Sequence, residues 1–399
     1  MSNLNYLAME KLLNEMELNV INRNSGEVNI MVTVFAGHNV ETKNNLGISG
    51  LIEAILLSRG QGMVTASYGG LVTSYFIDAA AEVWPHRLCF LAELLKCRRF
   101  TQEELDFCRE DIIRHTLDRK PLIGRQMDLR YKHTAYENAD INWDTEGYIA
   151  SLRRFTVEDL RKFMDEYYCS ANMQVQICAA KSKLGNAPVE IEKAFAGIPR
   201  GTRKNYCQDL YTGGFASLPV LDKQMAYLGF DLSRVVRKAE LSVLMTVLQM
   251  RLERCLAGNG ITPEVKLTGY YGRRTLRIDL TAPLGADMQG AVAEVCANLQ
   301  RLKREETDSR RLESAKNCAL TNSVKIFEEV GSSLRELEWH ILAKGDEPRS
   351  FSEIIMALKD VSSRDLLDLA KDVFTTTPTL VVSCEQKDLS YECVCSLLK

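Results

Sequence analysis

Apolar residues in the first half of the chain switch between the spacing of strands and the spacing of helices. Alternating apolar positions on both sides of the turn residues Asn24–Gly26 predict a hairpin over residues 18–36. Thr101 followed by Glu104 has the pattern of a capping box and predicts that a helix begins there. The same patterns predict helices over 45–58, from Pro85, from Thr101, and over 121–137 and 156–168, and strands over 63–68, 71–79 and Met173–Ala179.

The second half repeats this order of elements. Residues 156–160, which precede a helix, and Val175–Cys178, in the strand after it, resemble 362–366 and Val381–Cys384 at a constant offset of 206 residues. The patterns predict strands over Gln224–Phe230, 264–271, 274–281 and Thr379–Cys384, and helices over 235–256, 285–303, 308–342 and 363–373.

These elements predict an α+β protein made of two similar halves, each a mainly antiparallel sheet covered by helices. A chain of 399 residues is also too long for one hydrophobic core. We therefore expect an N-terminal domain over 1–200 and a C-terminal domain over 215–399. The glycine- and proline-containing segment 198–216 is the predicted linker.

Composition excludes several classes of function. Lysine and arginine (50 residues) nearly balance aspartate and glutamate (53), so a net charge of −3 offers no broad field for nucleic acid. No apolar run approaches the ~18 residues that a membrane helix needs. The twelve cysteines are scattered, which favours free thiols in a reducing compartment, and the Cys393, Cys395 pair is weak support for a metal or redox site.

The order of elements, with Asn45–Gly47 before an apolar helix, resembles the mitochondrial-processing-peptidase (pitrilysin) family over nearly the whole chain. Active members carry His-x-x-Glu-His on that helix. Two histidines four residues apart bind zinc from one helix face, and the glutamate acts as general base on the zinc-bound water. Here the matching residues are Gly50, Glu53 and Ala54, so both histidine positions are lost and the glutamate alone is kept.

The third zinc ligand of the family is a glutamate on a later helix. Counting back from Lys132–Tyr136, which resembles a family segment, places that position at His115. His115 continues an apolar stripe through Leu105 and Cys108, so we expect it to face inward, bonded to Glu53 or to the backbone. Two ligands hold zinc weakly, and we therefore expect no metal, no cofactor and no catalytic residue. Substituting Gly50→His, Ala54→His and His115→Glu is expected to rebuild the ligand set.

The family contains two kinds of inactive member. The α subunit of the processing peptidase carries a long glycine-rich loop in its second half, whereas Cys255–Ile261 here is a short turn with two glycines. The core 2 subunits of mitochondrial complex III are more similar, above all in Phe327–Gly331, and also in Ala36–Gly47 and Tyr136–Ala139. We also expect Gly50 to be tolerated in mid-helix because a neighbouring element packs closely against it.

This resemblance implies a non-catalytic subunit of complex III on the matrix side of the mitochondrial inner membrane. Its partners would be a core 1-like subunit and other complex III subunits in a hetero-oligomer, with membrane attachment through those partners. No transit peptide is evident, because residues 1–17 hold three glutamates and a single lysine. The alternative is an inactive regulatory or substrate-binding partner of an active zinc peptidase. An active peptidase is a third possibility, which zinc analysis would decide.

Overall fold

A computed structural model describes most of the chain. The described residues are 5–23, 26–119, 122–137, 145–204, 210–233, 235, 237–270, 273–328, 351–384 and 389–399.

The described chain forms two compact units. The first includes Met1–Asp118 and Trp143–Cys207, and the second includes Arg119–Asn142, Gln208–Lys325 and Glu353–Lys399. One helix of the first half thus belongs to the second unit. The predicted domain limits, 1–200 and 215–399, remain a proposal.

The first half of the chain contains six strands and eight helices within the described residues. They are β1 (Asn5–Lys11), β2 (Glu17–Asn22), β3 (Glu27–Val34), α1 (Ile48–Gly60), β4 (Thr65–Tyr68), β5 (Thr73–Ala80), α2 (Trp84–Lys96), α3 (Gln102–Arg119), α4 (Ile123–Ala135), α5 (Thr145–Arg154), α6 (Val157–Tyr167), β6 (Met173–Ala179), α7 (Lys181–Leu184) and α8 (Ala187–Ala194).

The second half contains five strands and six helices in its described part. They are β7 (Gly214–Ser217), β8 (Gln224–Asp231), α9 (Lys238–Cys255), β9 (Thr262–Tyr270), β10 (Arg273–Ala282), α10 (Met288–Arg304), α11 (Ser309–Glu328), α12 (Phe351–Asp360), α13 (Ser363–Phe374), β11 (Thr379–Ser383) and α14 (Tyr391–Leu398).

The first sheet has the strand order β1-β2-β6-β3-β5-β4, and the predicted hairpin over 18–36 is wrong. Strands β2 and β3 are consecutive in the chain but do not pair, because β6 lies between them, parallel to β2 and antiparallel to β3. All seven residues of β6 are buried, as befits a central strand. The true hairpin is β1 with β2, and the sequence reading missed β1.

The second sheet has the order β7-β11-β8-β10-β9. It repeats the first sheet without β1, since β7 and β11 are parallel and the other neighbours are antiparallel. The predicted α+β fold of two similar, mainly antiparallel halves is therefore confirmed. The predicted linker 198–216 was too long, because β7 begins at Gly214 and pairs with β11.

The repeat is visible in the helix caps. Thr156 and Asp159 form a capping box at α6, and Ser362 with Asp365 forms the same box at α13. In the following strands, however, the offset of 206 residues is out of register. Val175 of β6 pairs with Val32 of β3, and both face the core of the first unit. Val381 of β11 pairs with Tyr227 of β8 on the face of the second sheet that points away from the core. One residue fewer separates α13 from β11, and a one-residue slip exchanges the two faces.

Helices build the hydrophobic core on one face of each sheet, and in the second unit α4 also lies on the opposite face. In the second unit, Leu228, Phe230 and Ile278 of the sheet pack with Leu244 of α9 and Leu299 of α10. Helix α4 lies against β7, β8 and β11 of the same unit. Among the described helices, none is long and apolar enough to cross a membrane.

Candidate functional site

Helix α1 carries three of the four expected site positions, and a buried carboxylate holds its start. Glu41 accepts hydrogen bonds from the backbone N–H groups of Gly47 and Ser49, both at 2.9 Å. It therefore replaces the usual capping side chain and places negative charge at the positive end of the helix. His38 lies 3.2 Å from the same carboxylate through Nδ1. The start of α1 is thus fixed independently of any metal.

The end of α1 is tied to α3. Arg59 donates from Nε and an Nη to the two carboxylate oxygens of Glu104, both at 2.8 Å. These hydrogen bonds lower the pKa of Glu104 to about 2. Glu104 also accepts from the Thr101 N–H, so the predicted capping box is present.

Gly50 is the residue that the sequence resemblance aligns with the first zinc histidine, and the ring of Tyr68 fills the space beside it. A Cβ atom at Gly50 would meet Tyr68 Cζ at 2.9 Å and the hydroxyl oxygen at 3.1 Å. Tyr68 is the last residue of β4, and its ring stands edge-on to His38 with centroids 4.9 Å apart. The close packing expected at this glycine is present, and it leaves no room for a larger side chain without moving Tyr68.

Glu53 is half-buried on α1 beside two buried tyrosines. Burial raises the pKa of Glu53 to about 7, because the charged form loses hydration. The hydroxyl groups of Tyr75 and Tyr168 lie 2.8 Å apart, and both rings are fully buried. Burial raises the pKa of each phenol first, and the nearby charge of Glu53 adds to the effect. Below neutral pH this cluster consists of neutral hydroxyl and carboxyl groups.

His115 does not face inward, so that part of the sequence interpretation is wrong. Its side chain is 62% exposed, and Nδ1 lies 2.9 Å from the backbone carbonyl oxygen of Asp111 in the same helix. The buried stripe of α3 runs through Leu105, Cys108, Ile113 and Thr116 instead. His115 is one residue away from that stripe, and one residue turns a helix by about 100°. It makes no described contact with Glu53.

The four positions therefore do not form a ligand set in the described structure. The side chains of Gly50 and Ala54 have no ligating atoms, Glu53 lies near two tyrosines, and His115 points to solvent. Among the described residues, no group of three or more histidine, cysteine, aspartate or glutamate side chains is arranged to hold a metal. Absence of zinc and of catalysis remains a prediction.

Sequence reasoning missed Glu41, Tyr68, Tyr75 and Tyr168. They come from a loop, two strands and the segment after α6, so no local spacing links them. The turn between α9 and β9 does agree with the sequence. Helix α9 ends at Cys255 and β9 begins at Thr262, with Gly258 and Gly260 at positive φ between them. Most of Phe327–Gly331 and part of Tyr136–Ala139 lie outside the described residues.

Each of the two units is thus an α+β fold with a mainly antiparallel sheet covered by helices. No protein-family profile matches the chain, and no curated protein matches it in sequence. Solved structures do match, so the resemblance expected from the sequence is confirmed at the level of the fold.

Three solved structures illustrate the likeness. A protease from Helicobacter pylori has a TM-score of 0.79 at 16% identity, over 95% of this chain and 99% of that one. A chain of complex III2 from Candida albicans, bound to Inz-5, has a TM-score of 0.80 at 12% identity, over 99% of both chains. The first half of the periplasmic protease PqqL from Escherichia coli has a TM-score of 0.79 at 14% identity, over 100% of this chain and 97% of that one. Identities this low show a common fold alone.

Proposed function

We propose that the chain is a non-catalytic structural subunit of a mitochondrial complex III (ubiquinol–cytochrome c reductase) assembly, on the matrix side of the inner membrane. Its partners would be a core 1-like relative and further complex III subunits. The observation that carries the proposal is the Tyr68 ring packed against Gly50, which the sequence resemblance aligns with a zinc histidine. Because the Tyr68 ring occupies the space beside Gly50, a ligand side chain at this position would have to displace that ring.

Two other observations support this function. His115, at the third ligand position, is directed to solvent by the geometry of α3. The fold of a chain of complex III2 is similar to this one over 99% of both chains. Fold alone does not define function, and the proposal depends on the site.

A second candidate is an inactive regulatory or substrate-binding partner of an active processing-type zinc peptidase. The proteases from Helicobacter pylori and Escherichia coli favour it, since their similarity is equal in TM-score to within 0.01. In both candidate functions the chain is not a catalyst. The two functions differ in the binding partner, which is complex III in the first and a zinc peptidase in the second.

Zinc content tests the common part of both proposals. The purified chain is expected to hold no stoichiometric zinc by elemental analysis, and no peptide should be cleaved. The variant Gly50→His/Ala54→His/His115→Glu is also expected to stay zinc-free, because position 115 faces solvent and Tyr68 obstructs position 50. This replaces the sequence-based expectation that three substitutions rebuild the site. One zinc per wild-type chain would contradict both candidates.

Co-purification from the native cell separates the two candidates. A tagged chain is expected to migrate with complex III on native gels and to bring cytochrome b with it. Depletion should lower the amount of assembled ubiquinol–cytochrome c reductase. Normal amounts of complex III after depletion, with a zinc peptidase in the purified fraction, would favour the regulatory partner.

A further inference from the structure

The C-terminal part of α9 and the start of α11, both in the second unit, enclose a cavity of about 650 Å³. Val247, Met250, Arg251 and Arg254 of α9 line one wall, at the spacing that places side chains on one helix face. The opposite wall comes from Asp308 and from residues at the start of α11. A cavity of this size suits a small molecule.

Four arginines meet a single aspartate in this cavity. They are Arg251, Arg254, Arg310 and Arg311. Asp308 pairs with Arg311, Oδ2 to Nε at 3.2 Å, and its Oδ1 accepts the backbone N–H of Arg311 at 3.0 Å. The negative charge of Asp308 is therefore already paired with Arg311. Within the described residues, Arg254 and Arg310 form no ion pair.

Arg251 lies deepest in this set. Its Nε atom is buried and has no hydrogen-bond partner in the described part of the chain. Burial lowers the pKa of Arg251, and the charge of Arg311 lowers it further, while Glu305 and Asp308 act in the opposite direction. The protein thus keeps a guanidinium group in a place short of negative charge. Such a group is costly unless a partner supplies that charge.

A second cavity, in the first unit, contains two arginines whose charge is paired with carboxylates of the protein. It measures about 740 Å³ and is lined by Arg59, Arg98 and Glu104, among others. Arg59 is paired there with both oxygens of Glu104, and Arg98 donates to Asp165 at 2.8 Å and to three backbone carbonyl groups. These two arginines therefore need no anion, whereas Arg99, which also lines that cavity, forms no ion pair among the described residues. The cavity between α9 and α11 lacks the equivalent carboxylates.

We propose that the arginine cavity between α9 and α11 binds a phosphate-bearing anion with at least two negative charges. Guanidinium groups match phosphate oxygens in a planar, two-pronged arrangement. Three arginines without carboxylate partners require more charge than one carboxylate carries. Met250, which is partly buried, offers an apolar surface to the remainder of the ligand. The site does not depend on the proposed assembly.

Titration of the full chain with inorganic tripolyphosphate, followed by calorimetry, tests the site. Arg310→Gln and Arg254→Gln are each expected to weaken binding about tenfold, because each removes charge-assisted hydrogen bonds. Arg251→Lys keeps the positive charge but loses the planar, two-pronged arrangement of the guanidinium group, so it should also weaken binding. The matched control is Arg364→Gln, which removes an exposed arginine paired with Asp368 in the same unit and should leave affinity unchanged.

The source of the phosphate is decided by a second arm. Vesicles of phosphatidylcholine containing a minority of phosphatidic acid are mixed with the chain and sedimented. Sedimentation that tripolyphosphate abolishes identifies a lipid headgroup, whereas tripolyphosphate binding without sedimentation identifies a free phosphate compound. Equal weakening in the Arg364→Gln control, citrate binding as tight as that of tripolyphosphate, or no tripolyphosphate binding would overturn the proposal.

Discussion

The two sheets differ in the polar groups that they bury on the face away from their hydrophobic cores. On the face of the first sheet that lies away from its helices, Asn19 and Gln176 are opposite each other on β2 and β6, and Gln174 follows on β6. Both amide atoms of all three are buried without a hydrogen-bond partner in the described structure. The corresponding face of the second sheet carries a saturated ion network.

That network is centred on Arg277. It donates to both carboxylate oxygens of Asp279, at 2.6 and 2.8 Å, and pairs with Asp128 of α4 at 2.8 Å. Lys266 reaches Asp279 at 2.8 Å, and the guanidinium lies 4.0 Å from the ring centroid of Tyr227. Burial alone would lower the pKa of Arg277, but the charge and hydrogen bonds of Asp279 outweigh burial and raise it.

The contrast teaches that equal topology does not impose equal electrostatics. Buried polar groups are normally paired, so unpaired ones mark positions that were not selected for stability. Glu53 belongs with the amides of the first unit, since its carboxyl group is desolvated without a cation beside it. Apolar or neutral replacements of Gln176 and Glu53 should therefore stabilise the protein, whereas replacement of Arg277 should destabilise it.

The largest effect is expected in the second unit. Arg277→Met should lower the free energy of unfolding by about 3–5 kcal/mol, because Asp279 loses its bidentate partner while still buried. Denaturant unfolding measures it. Arg277→Met/Asp279→Leu removes both charges and should recover part of the loss. Equal stability of the single variant and the wild type would mean that the network contributes nothing.

Glu53→Gln should stabilise the protein by about 2 kcal/mol at about pH 8 and have little effect at about pH 4. The folded-state pKa of Glu53 is about 7, against 4.5 for an unperturbed glutamate. Between these values the folded state binds more protons, so stability falls as the pH rises and is lowest above about 7. Unfolding free energies of both proteins across this pH range measure the effect.

Glu104 provides the control of opposite sign. Its pKa is lowered to about 2, first by the hydrogen bonds from Arg59, so its contribution is complete above 4.5 and disappears as the pH falls toward 2. Glu104→Gln should therefore destabilise at neutral pH and be neutral in acid. A Glu53→Gln profile parallel to that of the wild type would contradict the unpaired state of Glu53.

Gln176→Leu should raise the free energy of unfolding by about 1 kcal/mol, because the buried amide has no partner to lose. Thr33→Val on the same face is the matched control. The Thr33 hydroxyl lies 3.0 Å from that of Ser74, so its removal should destabilise. If Gln176→Leu and Thr33→Val lowered the free energy of unfolding equally, the claim that the buried amide of Gln176 has no partner would be contradicted.

The smallest effect concerns Gly50. Alanine favours a helix interior over glycine by about 1 kcal/mol, but its Cβ would meet the Tyr68 ring. Gly50→Ala should therefore bring no gain in the wild type, and a gain of up to about 1 kcal/mol in a Tyr68→Ala background. Thermal melting of the four proteins completes the cycle. If Gly50→Ala raised the stability in the wild-type background, the Tyr68 ring would move aside at little cost.

Local patterns accounted for most elements of the fold. Strand β6 was predicted residue for residue, and the capping box at Thr101 lies where its side chains indicated. Pairing between distant strands was not predictable in the same way. Nothing in the pattern of residues 18–36 indicates that β6 inserts between β2 and β3, because alternation defines a strand and not its neighbour.

The candidate site divides along the same line. The absence of ligating side-chain atoms at Gly50 and Ala54 is a property of residue type, which the sequence alone determined. The direction of His115 was decided by the exact turn of α3, where the buried stripe drifts to Ile113 and Thr116. The closure of the site by Tyr68, and the elevated pKa of Glu53, needed tertiary structure. Both arise from packing and desolvation between elements that are distant in sequence.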